Sequence, residues 1–440
     1  MKYHFKRLAR VSASFLLTFS SICLSFGQNE RLWTLKECTD YAIEHNHDLE
    51  ASELNVENAK IDVLTAKAAR YPDLSASVGQ GVSSNWFNSG ASQKTRYSGN
   101  YGVSAGMTLY NGGNIRRNIS KSENSLRLQN LNMEKSVLDL KLRIAQLYIQ
   151  VLYDKETIKM KEEAASASKA LWDRGLEFLK AGSMSKADVA KLESQNASDL
   201  YQITNAKSQY DNDLLSLKTA MRMQRDALDI LTPEISEERI LEILPSRDEV
   251  FNRAMELRPE IEISNIGIQN SELNLKGAKM GYAPRLSLSA SSGTNNSSGG
   301  NFGRQIKNNW SNSLGLNLSI PIYSQRQNKS AVEKARNDLE QSKLEAEEAE
   351  DNLYTTIETV YLNARNSQQQ YISAKKAYES ARLSYELAVE QFKLGMKNIA
   401  EMEQERSTYM AAELSLAQSK YMALYNLQVL KFYTGIEINI

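Results

Sequence analysis

The sequence Tyr71-Pro72-Asp73-Leu74-Ser75 returns in the second half of the chain as Ala283-Pro284-Arg285-Leu286-Ser287, 212 residues later. Another pair keeps this offset: Ala42-x-x-x-Asn46-His47-Asp48-Leu49 corresponds to Ala254-x-x-x-Arg258-Pro259-Glu260-Ile261. Further matches, at an offset of 213, are Tyr110 with Tyr323 and Gly182 with Gly395. A unit of this length is too long for a solenoid repeat, so the sequence predicts a duplicated domain. Each copy is predicted to contain a helix, two short strands and a long pair of helices.

Composition shifts divide the chain into four predicted segments. Residues 1–27 have four basic residues, an apolar run and a small residue at the end, which is the pattern of a cleaved signal peptide. The first repeat is predicted at 28–224 and the second at 251–440, joined at 225–250 by a linker subdomain that contains two prolines. Cleavage would leave an excess of four acids, so the net charge gives no argument for nucleic-acid binding.

The sequence offers no candidate catalytic or metal-binding residues, and no cofactor is predicted. His45 and His47, the only histidines after the signal, lie two apart and therefore on different faces of a helix. No nucleophile elbow, phosphate loop or Cys-x-x-Cys motif is present. Cys38 would be the one cysteine left, and we expect it to pack as a small apolar side chain.

Four segments alternate with a period of two and are predicted as strands: about 73–83, 97–110, 285–292 and 310–323. Large aromatic residues lie at their ends: Tyr71, Tyr110, Tyr282 and Tyr323 at one end, and Trp86, Phe87, Tyr97 and Trp310 at the other. Thirteen tilted steps between such residues span on the order of 30 Å, the thickness of a bilayer core. This pattern favours membrane strands with aromatic belts, with a half-buried soluble sheet as the alternative.

The second face of these strands carries Ser, Gly, Asn and Thr, which predicts a wet and neutral lumen. The segments 83–96 and 292–309 are predicted to be exposed hairpin loops. Four strands cannot close a barrel, and open edges in lipid leave backbone groups unpaired at several kcal/mol each. The chain is therefore expected to oligomerise. A dimer would give eight strands, and a trimer would give twelve and leave room for a passage.

Four proline-free segments have helical patterns: Asn114 to Lys180, Lys186 to Leu228, Gln325 to Leu394 and Ile399 to Tyr433. The longest of them would reach about 100 Å. Heptad seams run along them, and Ile144 corresponds to Ile357 in the second copy. At the two hairpin tips, Gly182 and Gly395 can end a helix, and Ser185 and Asn398 can begin the next one. A solid coiled coil is the alternative reading of these segments.

Together, the signal peptide, the duplicated plan, the Asn46 and Arg258 signatures and the two tips resemble the outer-membrane efflux proteins of the TolC family. The resemblance covers nearly all of the chain after the signal and lies in the order of elements. It implies a mainly α fold with β strands: a trimeric β-barrel in the outer membrane, continued by a long α-helical barrel in the periplasm. It also implies a periplasmic adaptor, an inner-membrane pump of the RND or ABC type, and no catalysis.

The resemblance assigns roles to the tips. The family's tip acids fall on Asp188 and Glu401, its basic latch on Lys397 and its aromatic latch on Phe392. A second acid is replaced by Gln404, and Glu405 is a candidate substitute one turn from Glu401. The adaptor-contacting residues are expected to be Gly182, Ser183, Gly395 and Met396. Alternatively, Asp188 and Glu401 only cap helices.

Two functions remain open at this point. The first is an exit duct for drugs, metals or polypeptide, and the second is a non-channel structural or adaptor protein of the envelope built on coiled coil.

Overall fold

The computed structural model describes residues 32–84, 95–223 and 228–440. The predicted signal peptide, Trp86 and Phe87 lie outside these residues. The first repeat comprises β1 (Leu32–Trp33), α1 (Leu35–His45), α2 (His47–Ala68), β2 (Asp73–Ser84), β3 (Thr95–Asn111), α3 (Asn114–Lys180) and α4 (Lys186–Met221). The rest comprises β4 (Asp229–Ile230), α5 (Glu237–Ile240), α6 (Arg247–Leu257), α7 (Pro259–Lys279), β5 (Arg285–Ser297), α8 (Phe302–Asn308), β6 (Ser311–Ser319), α9 (Gln327–Lys393) and α10 (Ile399–Tyr433).

The duplicated plan is confirmed, because α1, α2, β2, β3, α3 and α4 correspond in order to α6, α7, β5, β6, α9 and α10. The long helices α3 and α9 each contain 67 residues, which makes each about 100 Å long. Helix α4 ends at Met221, before the expected Leu228, because Arg222 has a left-handed backbone with φ of 61°. Such a conformation stops a helix.

The four long strands form one antiparallel sheet in the order β2-β3-β5-β6. Its register pairs apolar residues with apolar ones, as at Ala105 with Ala290 and Leu288 with Leu316. On the opposite face, Ser104 lies between Ser75 and Ser291. The sheet therefore has one apolar face and one face of Ser, Gly and Asn, with free edges on β2 and β6.

Two strand ends differ from the expected ones. Strand β5 continues to Ser297 instead of residue 292, because the polar Ser/Gly/Asn run still pairs with β3. Strand β6 ends at Ser319 instead of residue 323, where Ser319 pairs with Arg285. Pro284 and Pro321 lie just beyond that pair and have no N–H to continue the ladder.

The segment 292–309 is not the simple hairpin loop expected from its composition. Its first residues belong to β5, and residues Phe302–Asn308 form the short helix α8. Asn301 caps this helix by accepting a hydrogen bond from the N–H of Arg304 at 3.1 Å. Most of the partner segment 83–96 lies outside the described residues.

A second, parallel pair of strands, β1 with β4, joins the start of the chain to the linker. The Tyr148 hydroxyl from α3 donates to the carbonyls of Trp33 and Leu231, at 3.1 and 2.8 Å. Cys38 is fully buried in the surrounding core, as is Ile144. Ile357 is buried in a separate core in the second repeat.

The Arg258 signature has a structural role. The buried Arg258 guanidinium lies 4.8 Å from the centre of the Tyr433 ring and 3.1 Å from Glu260. It therefore ties the boundary between α6 and α7 to the end of α10 through a cation–π contact, whereas the ion pair stays at the start of α7.

Among the described residues, none of the helices combines the length and the hydropathy that a membrane-spanning helix needs.

Candidate functional site

The two hairpin tips are built in the same way. Helix α3 is followed by Gly182 and α9 by Gly395, each with φ of +73°, a left-handed conformation that only glycine adopts without strain. The Ser183 N–H then donates back to the Phe178 carbonyl at 2.9 Å, and the Met396 N–H to the Gln391 carbonyl at the same distance. These bonds pair the last free carbonyls of α3 and α9.

The helices that leave the tips begin with side-chain caps. The Asp188 N–H donates to the Ser185 Oγ at 3.1 Å, and the Ser185 hydroxyl donates to an Asp188 carboxylate oxygen at 2.8 Å. At α10, the Glu401 N–H donates to Asn398 Oδ1 at 3.0 Å, and Glu401 accepts from the Asn398 N–H at 3.1 Å. Both acids therefore act as caps within their own helices.

A cleft of about 470 Å³ separates the two tips. Asp188, Phe392 and Lys397 all line it, so three of the predicted gate residues lie together. The Phe392 ring packs in an apolar cluster that contains Leu192 of α4 and Met402 of α10. This cluster holds the two hairpins against each other just above the tips.

Lys397 and Glu405 form an ion pair with N···O of 3.7 Å, and Glu405 also accepts a hydrogen bond from the Ser384 hydroxyl at 2.8 Å. Glu401 is not among the residues that line the cleft. Lys397, the predicted basic latch, therefore lies beside Glu405 within one chain, whereas Asp188 pairs with Lys191 at 3.7 Å.

The expected adaptor contacts are accessible. Met396 is 72% exposed and Ser183 is exposed, and a Cβ added at Gly182 or Gly395 would meet no atom within 4 Å. Only the positive φ requires glycine at these two positions, because no neighbouring atom restricts the space.

The structure adds an ion-pair cluster that the sequence did not indicate. The Arg406 guanidinium of α10 bonds to Asp199 of α4, and their side chains are 4% and 1% exposed. Arg406 also lies 3.3 Å from Glu403 and 3.4 Å from the Ala164 carbonyl of α3. Burial raises the pKa of Glu403 above its usual range, although the Arg406 charge opposes that shift. We call Arg406, Asp199 and Glu403 the hairpin lock.

The sequence could not reveal the hairpin lock because its partners are 207 residues apart and follow no motif. The position of Arg406 in the apolar seam of α10 indicates a buried charge but does not indicate its partner.

The aromatic residues at the strand ends fall at different heights. The Ser298 N–H donates to the Tyr97 carbonyl at 2.8 Å, and the Tyr97 N–H donates to Ser298 Oγ at 2.6 Å. Trp310 immediately precedes Ser311, which pairs with Gly293. Trp310 therefore lies about 13 Å lower than Tyr97 along β5. At the other end, the exposed aromatics are Tyr71, Tyr110, Tyr282 and Tyr323.

Within residues 32–84, 95–223 and 228–440, no three His, Cys, Asp or Glu side chains converge as metal ligands.

Comparison with known proteins identifies the family. The family described as "Outer membrane efflux protein" matches residues 39–221 and 250–436. The chain belongs to this family. Its relative BepC, an outer membrane efflux protein of Brucella suis biovar 1 (strain 1330), is 20% identical over 397 residues, which cover 90% of this chain and 84% of BepC.

Solved structures of outer-membrane channels share the fold. CusC matches with a TM-score of 0.78 and 16% identity, over 91% of this chain and 92% of that one. The open state of the Neisseria gonorrhoeae MtrE channel matches with a TM-score of 0.75 and 17% identity, over 92% and 90% of the two chains.

Membership of the family makes the chain an outer-membrane efflux channel of the TolC type, which transports without catalysis. The alternative of a non-channel coiled-coil protein is thereby set aside.

Proposed function

We propose that the chain assembles as a homotrimer that forms a passive exit duct from the periplasm to the exterior. The observation that carries this proposal is the four-stranded sheet, which has two free edges and one apolar face and lies beside helices about 100 Å long. Unpaired edges in lipid cost tens of kcal/mol, more than the roughly 5 to 15 kcal/mol by which folded proteins are stable. Pairing β2 of one copy with β6 of the next removes both edges.

The two faces of the sheet support this assignment. Leu314 on the apolar face is 77% exposed, and Val78 on the same face is exposed to a similar extent. These side chains would contact outer-membrane lipid, with Tyr71, Tyr110, Tyr282 and Tyr323 near one interface, Tyr97 near the other and Trp310 deeper in the sheet. The face with Ser104 and Ser291 would line a neutral lumen that selects little among drugs, metals and polypeptides.

The cleft between the tips supports a role in gating. Lys397 and Glu405 attract each other within one chain, and Asp188 faces the same cleft. In a trimer, acids from three copies would lie near the axis, where like charges oppose closure unless cations offset them. We propose that Lys397 contacts hold the tips closed and that an adaptor opens them by binding the open state more tightly.

The proposed partners follow from this arrangement. A periplasmic adaptor would contact the exposed tips at Gly182, Ser183, Gly395 and Met396, and an inner-membrane pump of the RND or ABC type would supply the energy. A cleaved signal peptide at 1–27 would direct export.

The assembly is tested by the mass of the complex extracted from membranes in detergent. We expect three copies of a chain that begins near Gln28, and parallel bilayer recordings should show discrete conductance steps. A stable monomer that needs no detergent would contradict the proposed duct.

A further inference from the structure

Helix α8 packs against the end of β5 beyond Gly293, where β6 no longer pairs with β5. The Ser297 N–H donates to Gln305 Oε1 at 2.7 Å, and Gln305 Nε2 donates to the Ser297 carbonyl at 2.9 Å. The amide of Gln305 thus replaces a strand partner. The Thr294 hydroxyl also donates to the Ile306 carbonyl at 2.7 Å, so two consecutive residues of α8 are bonded to β5.

Helix α8 lies on the apolar side of the sheet. Thr294 is in phase with Ala290 along β5 and is paired with Tyr101 of β3. The Phe302 ring packs edge-on against the Tyr101 ring, with their centres 6.3 Å apart, and remains 55% exposed. In the proposed duct, this side faces lipid, and Tyr97, which is hydrogen-bonded to Ser298 just beyond the α8 contacts, marks the interfacial depth.

The outward side of α8 has two positive charges. Arg304 and Lys307 are exposed and one turn apart, and neither forms an ion pair with any of the described residues. The sequence contains no Asp or Glu at 74–122 or at 273–332, which together include all of the sheet beyond Asp73. At the opposite end of the sheet, by contrast, Arg326 reaches Glu333 at 3.3 Å.

Two like charges one turn apart repel each other, and the acid-free surroundings provide no counter-charge. We propose that α8 binds the phosphate of lipid headgroups in the outer leaflet, with Arg304 and Lys307 as its phosphate ligands and Phe302 against the lipid beside them. The inference rests on the proposed duct, which places this face in the membrane. Cations at headgroup depth beside aromatic side chains match an anionic membrane surface in both charge and polarity.

The test uses the full-length complex in detergent, titrated with diphosphoryl lipid A and, separately, with dephosphorylated lipid A of the same acyl chains. The rise of the melting temperature with lipid concentration gives an apparent affinity. Each surface cation contributes about fivefold to binding of an anionic membrane, so R304Q/K307Q should bind diphosphoryl lipid A about 30-fold more weakly. The matched control K169Q/K186Q removes two exposed charges from the hairpins and should bind like the parent.

Several results would overturn the inference: equal binding of diphosphoryl lipid A by R304Q/K307Q and the parent, equal binding of both lipids by the parent, or an equal shift with inorganic phosphate at the same concentration. Conductance in phosphatidylcholine bilayers separates this inference from the duct itself. If R304Q/K307Q still conducts and binds diphosphoryl lipid A like the parent, only the headgroup site is wrong. If the parent does not conduct, the duct is wrong as well.

Discussion

The hairpin lock gives the sharpest prediction for stability. In Arg406→Met, the Asp199 carboxylate would remain buried and would retain only the hydrogen bond from Gln195 Nε2, at 3.0 Å. Removal of one partner from a buried ion pair costs about 3 to 5 kcal/mol, because the remaining charge is not compensated. The cost should appear locally, since Arg406 joins α10 to α3 and α4.

Amide hydrogen exchange measured by mass spectrometry reports such local opening without the need for reversible global unfolding. A loss of about 3 kcal/mol speeds exchange roughly 150-fold. We therefore expect this acceleration, or a larger one, in the segments around Asp199 and Arg406, and unchanged exchange in the sheet. Asp199→Leu/Arg406→Met removes both charges together and should restore most of the protection.

Arg382→Met is the matched control. Its partner Glu386 lies at 3.4 Å, and both side chains are more than half exposed. An exposed pair of this kind contributes less than about 1 kcal/mol, so exchange should rise less than about fivefold. If Arg406→Met behaves like Arg382→Met, the hairpin lock does not hold the hairpins together.

Three further predictions concern the seams, the buried Asp154 of α3 and the tips. Ile144→Asp and Ile357→Asp should each cost several kcal/mol, because each buries a carboxylate without a partner, and melting of the complex in detergent should show both losses. Burial, together with the neighbouring acid Asp213, raises the pKa of Asp154 to about 7. The folded protein therefore binds the proton of this carboxyl more tightly than the unfolded chain does. Its contribution to stability is therefore complete below its ordinary pKa of 3.8 and is lost as the pH rises through about 7. Asp154→Asn should flatten this part of the melting profile, and an unchanged profile would contradict the assignment. Lys397→Glu places a like charge beside Glu405 and should raise single-channel conductance in planar bilayers. Parental conductance would place the gate elsewhere.

Much of the fold could be predicted from the sequence because its determinants are local. The absence of proline leaves the long helices unbroken, and the caps at Ser185 and Asn398 mark where α4 and α10 begin. Alternation and the register of apolar residues mark the sheet. The duplication then doubles the evidence, because each element is indicated twice.

The remainder depends on contacts between distant residues. Helix α8 was missed because its Ser/Gly/Asn-rich surroundings resemble a loop, and its amide bonds to Ser297 lie beyond Gly293, where the pairing of β5 with β6 stops. The hairpin lock joins residues from different repeats, so no spacing rule reveals it. At the tips, Asp188, Phe392 and Lys397 were identified through the resemblance, whereas the pairing of Lys397 with Glu405 requires the geometry.

The equal length of α3 and α9 limits how this protein can change its size during evolution. Both helices contain 67 residues, and their partners α4 and α10 contain 36 and 35. One inserted residue shifts a tip by about 1.5 Å and rotates everything beyond it by about 100°. A single insertion would therefore misalign one tip and turn its seam toward water. A lineage that needs longer hairpins must add matched heptads to all four helices. The distance from the sheet to the tips should therefore change in steps and not gradually.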